Sequence, residues 1–219
     1  MNRTQAIIFD FDGVILDSVS IKTEAFAELY APYGDEIRHR VVTYHHAHGG
    51  ISRYEKFTHW ERELLGKNPT DEDIELLARR FSDLVFQKVL AAAFLPGAED
   101  FLEKFSDKMP LFVCTGTPDP EIQRVVAERN LRPYFREVVG SPTRKPAIIQ
   151  YLLKKYSLNP DHTLFVGDAM TDYHAAQETG LRFIGMRSEH TEFPVGTEVV
   201  GDFWELVDYL DHGLARILH

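Results

Sequence analysis

The sequence predicts an α/β chain: a doubly wound parallel sheet with an all-helical block inserted after its first strand. Three observations carry this expectation. Short apolar runs at 6–9, 110–114, 137–139, 163–166 and 182–186 have strand character and most end in polar or glycine-rich turns, the pattern of buried parallel strands. Amphipathic helical segments of about ten to twelve residues separate most of them, so the sheet should be covered on both faces. The interval 18–92 breaks this alternation, because it carries helical patterning and no convincing strand.

The first run, Ala6-Ile7-Ile8-Phe9, is uncharged and meets Asp10-Phe11-Asp12-Gly13 at once, which reads as a strand entering a turn. Helices are expected next at 21–30, 35–46, 52–65 and 71–90. Gly66-Lys67-Asn68-Pro69 interrupts the chain before the last of these, and Thr70-Asp71-Glu72-Asp73 supplies a capping signature with acids in the first turn. Phe57, Trp60 and Leu64 fall at helical spacing and should pack the interior of the block. Leu95-Pro96-Gly97 marks the return to the sheet. Further helices are expected at 120–129 (Ile122, Val125, Val126), 147–156 (Ile148, Ile149, Leu152, Leu153) and 172–178. The division is therefore a core of 1–17 and 93–219 and a helical block of 18–92, with hinges near Asp17-Ser18 and Ala92-Ala93.

Composition bounds the function. A chain of 219 residues accommodates one large domain or a domain with an insert, and 44% hydrophobic with 26% charged residues excludes disorder. A formal charge of −10 argues against a partner that presents a phosphate backbone, so no nucleic acid is expected, although a few placed cations can still bind a small anion. The single cysteine, Cys114, permits no internal disulfide and sits in an apolar run, which makes it a core residue. Uncharged stretches such as 89–98 are too short to span a bilayer, and the N-terminus does not fit a signal peptide. The expectation is a soluble, cytoplasmic, monomeric protein without membrane contact.

In an open parallel sheet, ligands sit at the carboxyl ends of the strands. The first strand ends in Asp10 and Asp12, the second in Thr115-Gly116-Thr117, and the fourth in Gly167-Asp168, with Asp172 one helical turn later. Lys145 lies at the start of the helix after the third strand, beside Pro146. Carboxylates without nearby histidine or cysteine suit a hard cation such as Mg²⁺. The Thr115 hydroxyl and Gly116 amide suit a phosphate oxygen, and Lys145 could both screen the acids and hold a phosphoryl group. The histidines at 39, 45, 46, 48 and 59 are expected in the interior or loops of the helical block rather than on a metal, with one near substrate.

Asp-Phe-Asp-Gly-Val at 10–14, Thr-Gly-Thr at 115–117, Lys145, and Gly-Asp-x-x-x-Asp at 167–172 resemble the four ordered motifs of the haloacid dehalogenase superfamily. The resemblance covers the whole chain and includes an α-helical cap directly after the first motif, as in the phosphoglycolate phosphatase and β-phosphoglucomutase branch. It implies Asp10 as nucleophile, Asp12 as general acid and base, and Thr115, Gly116 and Lys145 as phosphate-binding groups. It also implies Mg²⁺ held by Asp10, the Asp12 backbone carbonyl and Asp168, with Asp172 either a ligand or a supporting residue. An acid at position 12 disfavours dehalogenation, which needs no protonated leaving group. Gly49-Gly50-Ile51-Ser52-Arg53 resembles the specificity segment of the mutase branch, which makes Arg53 a candidate contact to substrate, with Lys22 another. The implied activity is a Mg²⁺-dependent phosphatase for a small phosphorylated metabolite, a sugar phosphate or phosphoglycolate-like acid. The alternatives are a phosphosugar mutase and a non-catalytic phosphate-binding module.

Overall fold

The computed structural model describes residues 4–212. Strands β1 (Ala6–Phe9), β2 (Leu111–Pro118), β3 (Glu137–Ser141), β4 (Thr163–Gly167), β5 (Arg182–Met186) and β6 (Val199–Val200) form one sheet in the order β3-β2-β1-β4-β5-β6. Every neighbouring pair is parallel. The order reverses direction between β1 and β4, so the carboxyl ends of these two strands flank the crevice where such sheets take their ligands.

Alternation along the strands divides the core into two layers. Ile7, Phe9, Val113 and Val166 face one side, where they meet Phe101 of α5 (Ala98–Phe105), Val125 of α6 (Asp119–Glu128) and Phe203 of α9 (Phe203–His212). Ala6, Ile8, Phe112, Cys114 and Phe165 face the other, against Ile148 and Leu152 of α7 (Lys145–Lys155) and Ala175 of α8 (Met170–Thr179). The expected strands are all present. β2 runs four residues past its apolar stretch, through Thr115-Gly116-Thr117 to Pro118, with a register irregularity between Cys114 and Pro118. The sequence reading did not anticipate α5, α9 and the two-residue β6, although Phe101, Leu102 and Phe105 bury a helical face in α5.

Between β1 and α5 the described chain holds α1 (Val19–Tyr30), α2 (Asp35–Ala47), α3 (Arg53–His59) and α4 (Asp71–Ala91), with no strand. The capping box at Thr70 is formed, with reciprocal bonds to Asp73. The single helix expected over 52–65 is instead α3 continued by a π-helical turn, Trp60–Leu64. That turn lets Trp60 and Phe57, both fully buried, meet Phe26 at ring distances of 5.0 and 5.6 Å, while Phe26 stacks on Phe81 at 4.0 Å. These aromatics make the interior of the insert.

The two crossings between insert and sheet run side by side. The Asp17 N–H donates to the Ala93 carbonyl at 2.9 Å and the Leu95 N–H to the Ile15 carbonyl at 3.1 Å. Truncating Phe57, which has no exposed surface, leaves a cavity among four aromatic rings. Phe57→Ala is expected to destabilise the protein by about 3–5 kcal/mol, read as a lower urea midpoint.

Candidate active site

Asp10 follows β1 at the switch point, where its N–H donates to the Val166 carbonyl at 2.9 Å. Its carboxylate accepts from the Phe11 N–H at 2.7 Å and pairs with Lys145 Nζ at 2.9 Å. Lys145, the first residue of α7, also reaches Asp172 Oδ1 at 2.5 Å. The other Asp172 oxygen accepts from the Ala169 N–H at 3.1 Å, which fixes the loop after β4. Asp168 lies in that loop and makes no hydrogen bond or ion pair among the described residues. All four groups are buried. Asp10, Asp168 and Asp172 each offer an oxygen within 4.8 Å of the others.

One ammonium does not balance three acids. Burial, reinforced by Asp10 and Asp172, pushes the Asp168 carboxyl well above the usual range. Burial also raises Asp172, to about 6, with Lys145 opposing and Asp10 adding to the shift. Burial works against the Lys145 charge, but Asp10 and Asp172 overcome it and hold the ammonium firmly protonated. An all-oxygen donor set short of positive charge fits a hard divalent cation. Gly13 makes the approach possible: its φ is +77°, and a Cβ there would stand 2.3 Å from Asp168 Oδ2.

Thr115 and Gly116 lie beside this cluster on β2, both lining a cleft of about 710 Å³ including its open mouth. The Thr115 hydroxyl is buried and accepts from the Thr117 N–H at 3.2 Å. A Cβ on Gly116 would stand 2.5 Å from the Gly50 carbonyl, so the loop before α3 rests directly on this turn. Asp12 points toward the insert. Its carboxylate accepts from Ser18 Oγ at 2.6 Å and Thr117 Oγ1 at 2.8 Å and pairs closely with Lys22. Burial raises its pKa, but Lys22, Ser18 and Thr117 together hold the carboxyl below the usual range.

Arg53 lines the cleft as well, but its guanidinium is already matched. Both terminal nitrogens donate to Glu121 of α6, at 2.8 and 2.6 Å, and one donates to Ser82 of α4 at 2.7 Å. Position in the sequence suggested Lys22, but nothing there pointed to Ser18, Glu121 or Lys56. Lys56 lies one turn after Arg53 on α3 and contacts His45 Nδ1 at 2.6 Å. No histidine joins a metal-holding cluster among the described residues. Cys114 is fully buried, its thiol pushed up by burial.

His45 gives the fold a pH signature. Burial, then the neighbouring Lys56, lowers its pKa to about 2. Below pH ~6.5 the unfolded chain takes up a proton that the folded chain refuses, so stability falls as pH drops toward 2. His45→Gln is expected to shrink the stability difference between pH 7.5 and 5.5 by about 1 kcal/mol, measured by denaturant unfolding.

The family model of haloacid dehalogenase-like hydrolases matches residues 7–186. The chain is 30% identical over 198 residues to the phosphoglycolate phosphatase of Pasteurella multocida, a match covering 85% of this chain and 87% of that one. It is 28% identical over 206 residues to the phosphoglycolate phosphatase of Escherichia coli, covering 83% and 81%. Among solved structures, a variant of CbbY from Rhodobacter sphaeroides in complex with xylulose-(1,5)bisphosphate shares the fold, with a TM-score of 0.73, 21% identity and coverage of 93% and 96%. The matched span takes in the buried acids, the lysine between them and the turn at the end of β2. The chain belongs to the haloacid dehalogenase-like hydrolases, in the phosphatase branch that resembles phosphoglycolate phosphatase.

Proposed function

We propose that the protein is a Mg²⁺-dependent phosphatase that transfers the phosphoryl group of a small monoester to Asp10 and then to water. One observation carries the reading: Asp10, Asp168 and Asp172 converge with Lys145 beside Thr115-Gly116 at the switch point of the sheet. Asp10, the Asp12 backbone carbonyl and Asp168 would hold the metal. Asp172 has both oxygens taken by protein donors and acts by positioning Lys145 and the β4 loop. The metal, when bound, neutralises phosphoryl charge and fixes the in-line geometry.

In the first step an Asp10 oxygen attacks phosphorus, the ester P–O bond breaks, and the leaving oxygen takes a proton from Asp12. In the second, water attacks the phosphorus, Asp12 takes its proton, and the Asp10–phosphorus bond breaks. The Thr115 hydroxyl, the Gly116 N–H and Lys145 receive the phosphoryl oxygens throughout. Asp12 is held ionised by Lys22, which suits its work as a base. Acting as an acid requires the Lys22 contact to break as the leaving group enters, which removes the charge that depresses its pKa. Residues 18–92 serve as a cap over a core formed by 1–17 and 93–219, and its closure excludes water.

The relatives named above as phosphoglycolate phosphatases support a small acidic ester as substrate. The mutase alternative drew its support from Arg53, and that side chain is committed to Glu121 and Ser82. The test is phosphate release from a panel of small monoesters with Mg²⁺. Asp10→Asn is expected to lower turnover by more than about 10³-fold, and unchanged release would overturn the assignment of the nucleophile. Chelation by EDTA should abolish release and Mg²⁺ should restore it; activity that survives EDTA would count against the metal.

A further inference from the structure

Arg53 and Lys56 sit three residues apart on α3 and both line the cleft. The first is a matched charge and the second is not. Lys56 is 3% exposed, yet no carboxylate lies within ion-pair distance among the described residues, and its Nζ makes one hydrogen bond, to His45 Nδ1. Lys22 and Lys145 oppose its charge, while Asp12 and Asp168, beyond ion-pair distance, and the Phe26 ring, 5.6 Å away, favour it. A buried ammonium against a neutral ring is costly unless an anion completes it. Burial, with Lys22 and Lys145, lowers its pKa to about 7.

His45 repeats the pattern. It is 8% exposed, lines the same cleft, and its Nε2 is buried without a partner among the described residues. A protonated Lys56 must donate to Nδ1, which leaves the ring hydrogen on Nε2. The pair then presents unused donors: two N–H groups on Lys56 and one on His45. The steps at Asp10 and Asp12 use none of them.

We infer that Lys56 and His45 form a second anion site, which receives an acidic group at the far end of the substrate. The inference rests on the phosphatase reading and narrows it. The substrate class becomes a short phosphate monoester that carries a second anion, carboxylate or phosphate, opposite the ester. The ester phosphate goes to Thr115, Gly116 and Lys145 of the core. The second anion goes to the insert, where Lys56 supplies the charge and His45 a directed hydrogen bond. Arg53 stays paired with Glu121 and holds the insert to α6 without touching the ligand.

The test compares kcat/KM of the Mg²⁺-loaded enzyme on 2-phosphoglycolate, on ethylene glycol bisphosphate and on ethylene glycol monophosphate, which replaces the second anion with a hydroxymethyl group. Wild type is expected to favour at least one acidic ester over the neutral one by about 10-fold or more. Lys56→Met is expected to lower that ratio by about 10-fold, mainly through KM. Lys56→Arg keeps the charge and should retain part of it. Because Lys56→Met removes a buried unmatched charge, its melting temperature should not fall; if it fails to fold, Lys56→Gln and His45→Phe provide the same ratio. Preference for the carboxylate alone or the bisphosphate alone identifies the anion, and either supports the site. Equal activity of wild type on all three esters, or a ratio unchanged by the Lys56 variants, overturns it while leaving the phosphatase reading intact. Release from none of the esters overturns both.

Discussion

The bridge from Lys145 to Asp10 and Asp172 is the contact on which the site depends. It spans the sheet, because its partners follow β1 and β4 while the lysine opens the helix after β3. Three carboxylates in one buried pocket would repel one another, and desolvation makes the repulsion worse. The ammonium compensates part of this and sets the rest. Asp172 is spent on Lys145 and the Ala169 amide, which leaves Asp168 the acid without a partner among the described residues. The charge deficit left behind sets the pocket apart from a structural ion pair, and it is the deficit that the proposed cation would offset.

A second balance of charge operates where the insert meets the core. Glu121 and Arg53 neutralise each other, and Ser82 adds a bond from α4 to both. Lys22 reaches from α1 to Asp12 and Thr117. Both contacts join insert to core, yet they differ in consequence. The Arg53 contact ties one helical body to another away from the chemistry. The Lys22 contact ties the insert to the group proposed to move protons, so seating of the insert and the protonation state of Asp12 are linked.

The core was legible because its rules are local. An uncharged run followed by Asp10-Phe11-Asp12-Gly13 allows few structures other than a buried strand entering a turn, and the same holds at Gly167-Asp168. The extra length of β2 was not legible, since Thr115-Gly116-Thr117 reads as a turn and is strand only because β3 pairs with it at Pro118. Nor was the π-helical turn at Trp60–Leu64, which follows from packing Trp60 against Phe26 rather than from propensity. In the site, the acids and Lys145 could be read from their positions at strand ends. Arg53, Glu121, Lys56 and His45 could not be sorted, because which cation is matched depends on a carboxylate 68 residues away in sequence.

The paired crossings at 15–17 and 93–95 have a geometric consequence. A body held by two adjacent, hydrogen-bonded threads has one easy motion, rotation about the line through them. In the closure proposed above, residues near that line would barely move while the rest of the insert would sweep an arc relative to the sheet. The two walls of the cleft would then meet at a separation fixed by the arc rather than by flexible loops, and the ligand would be measured by its length.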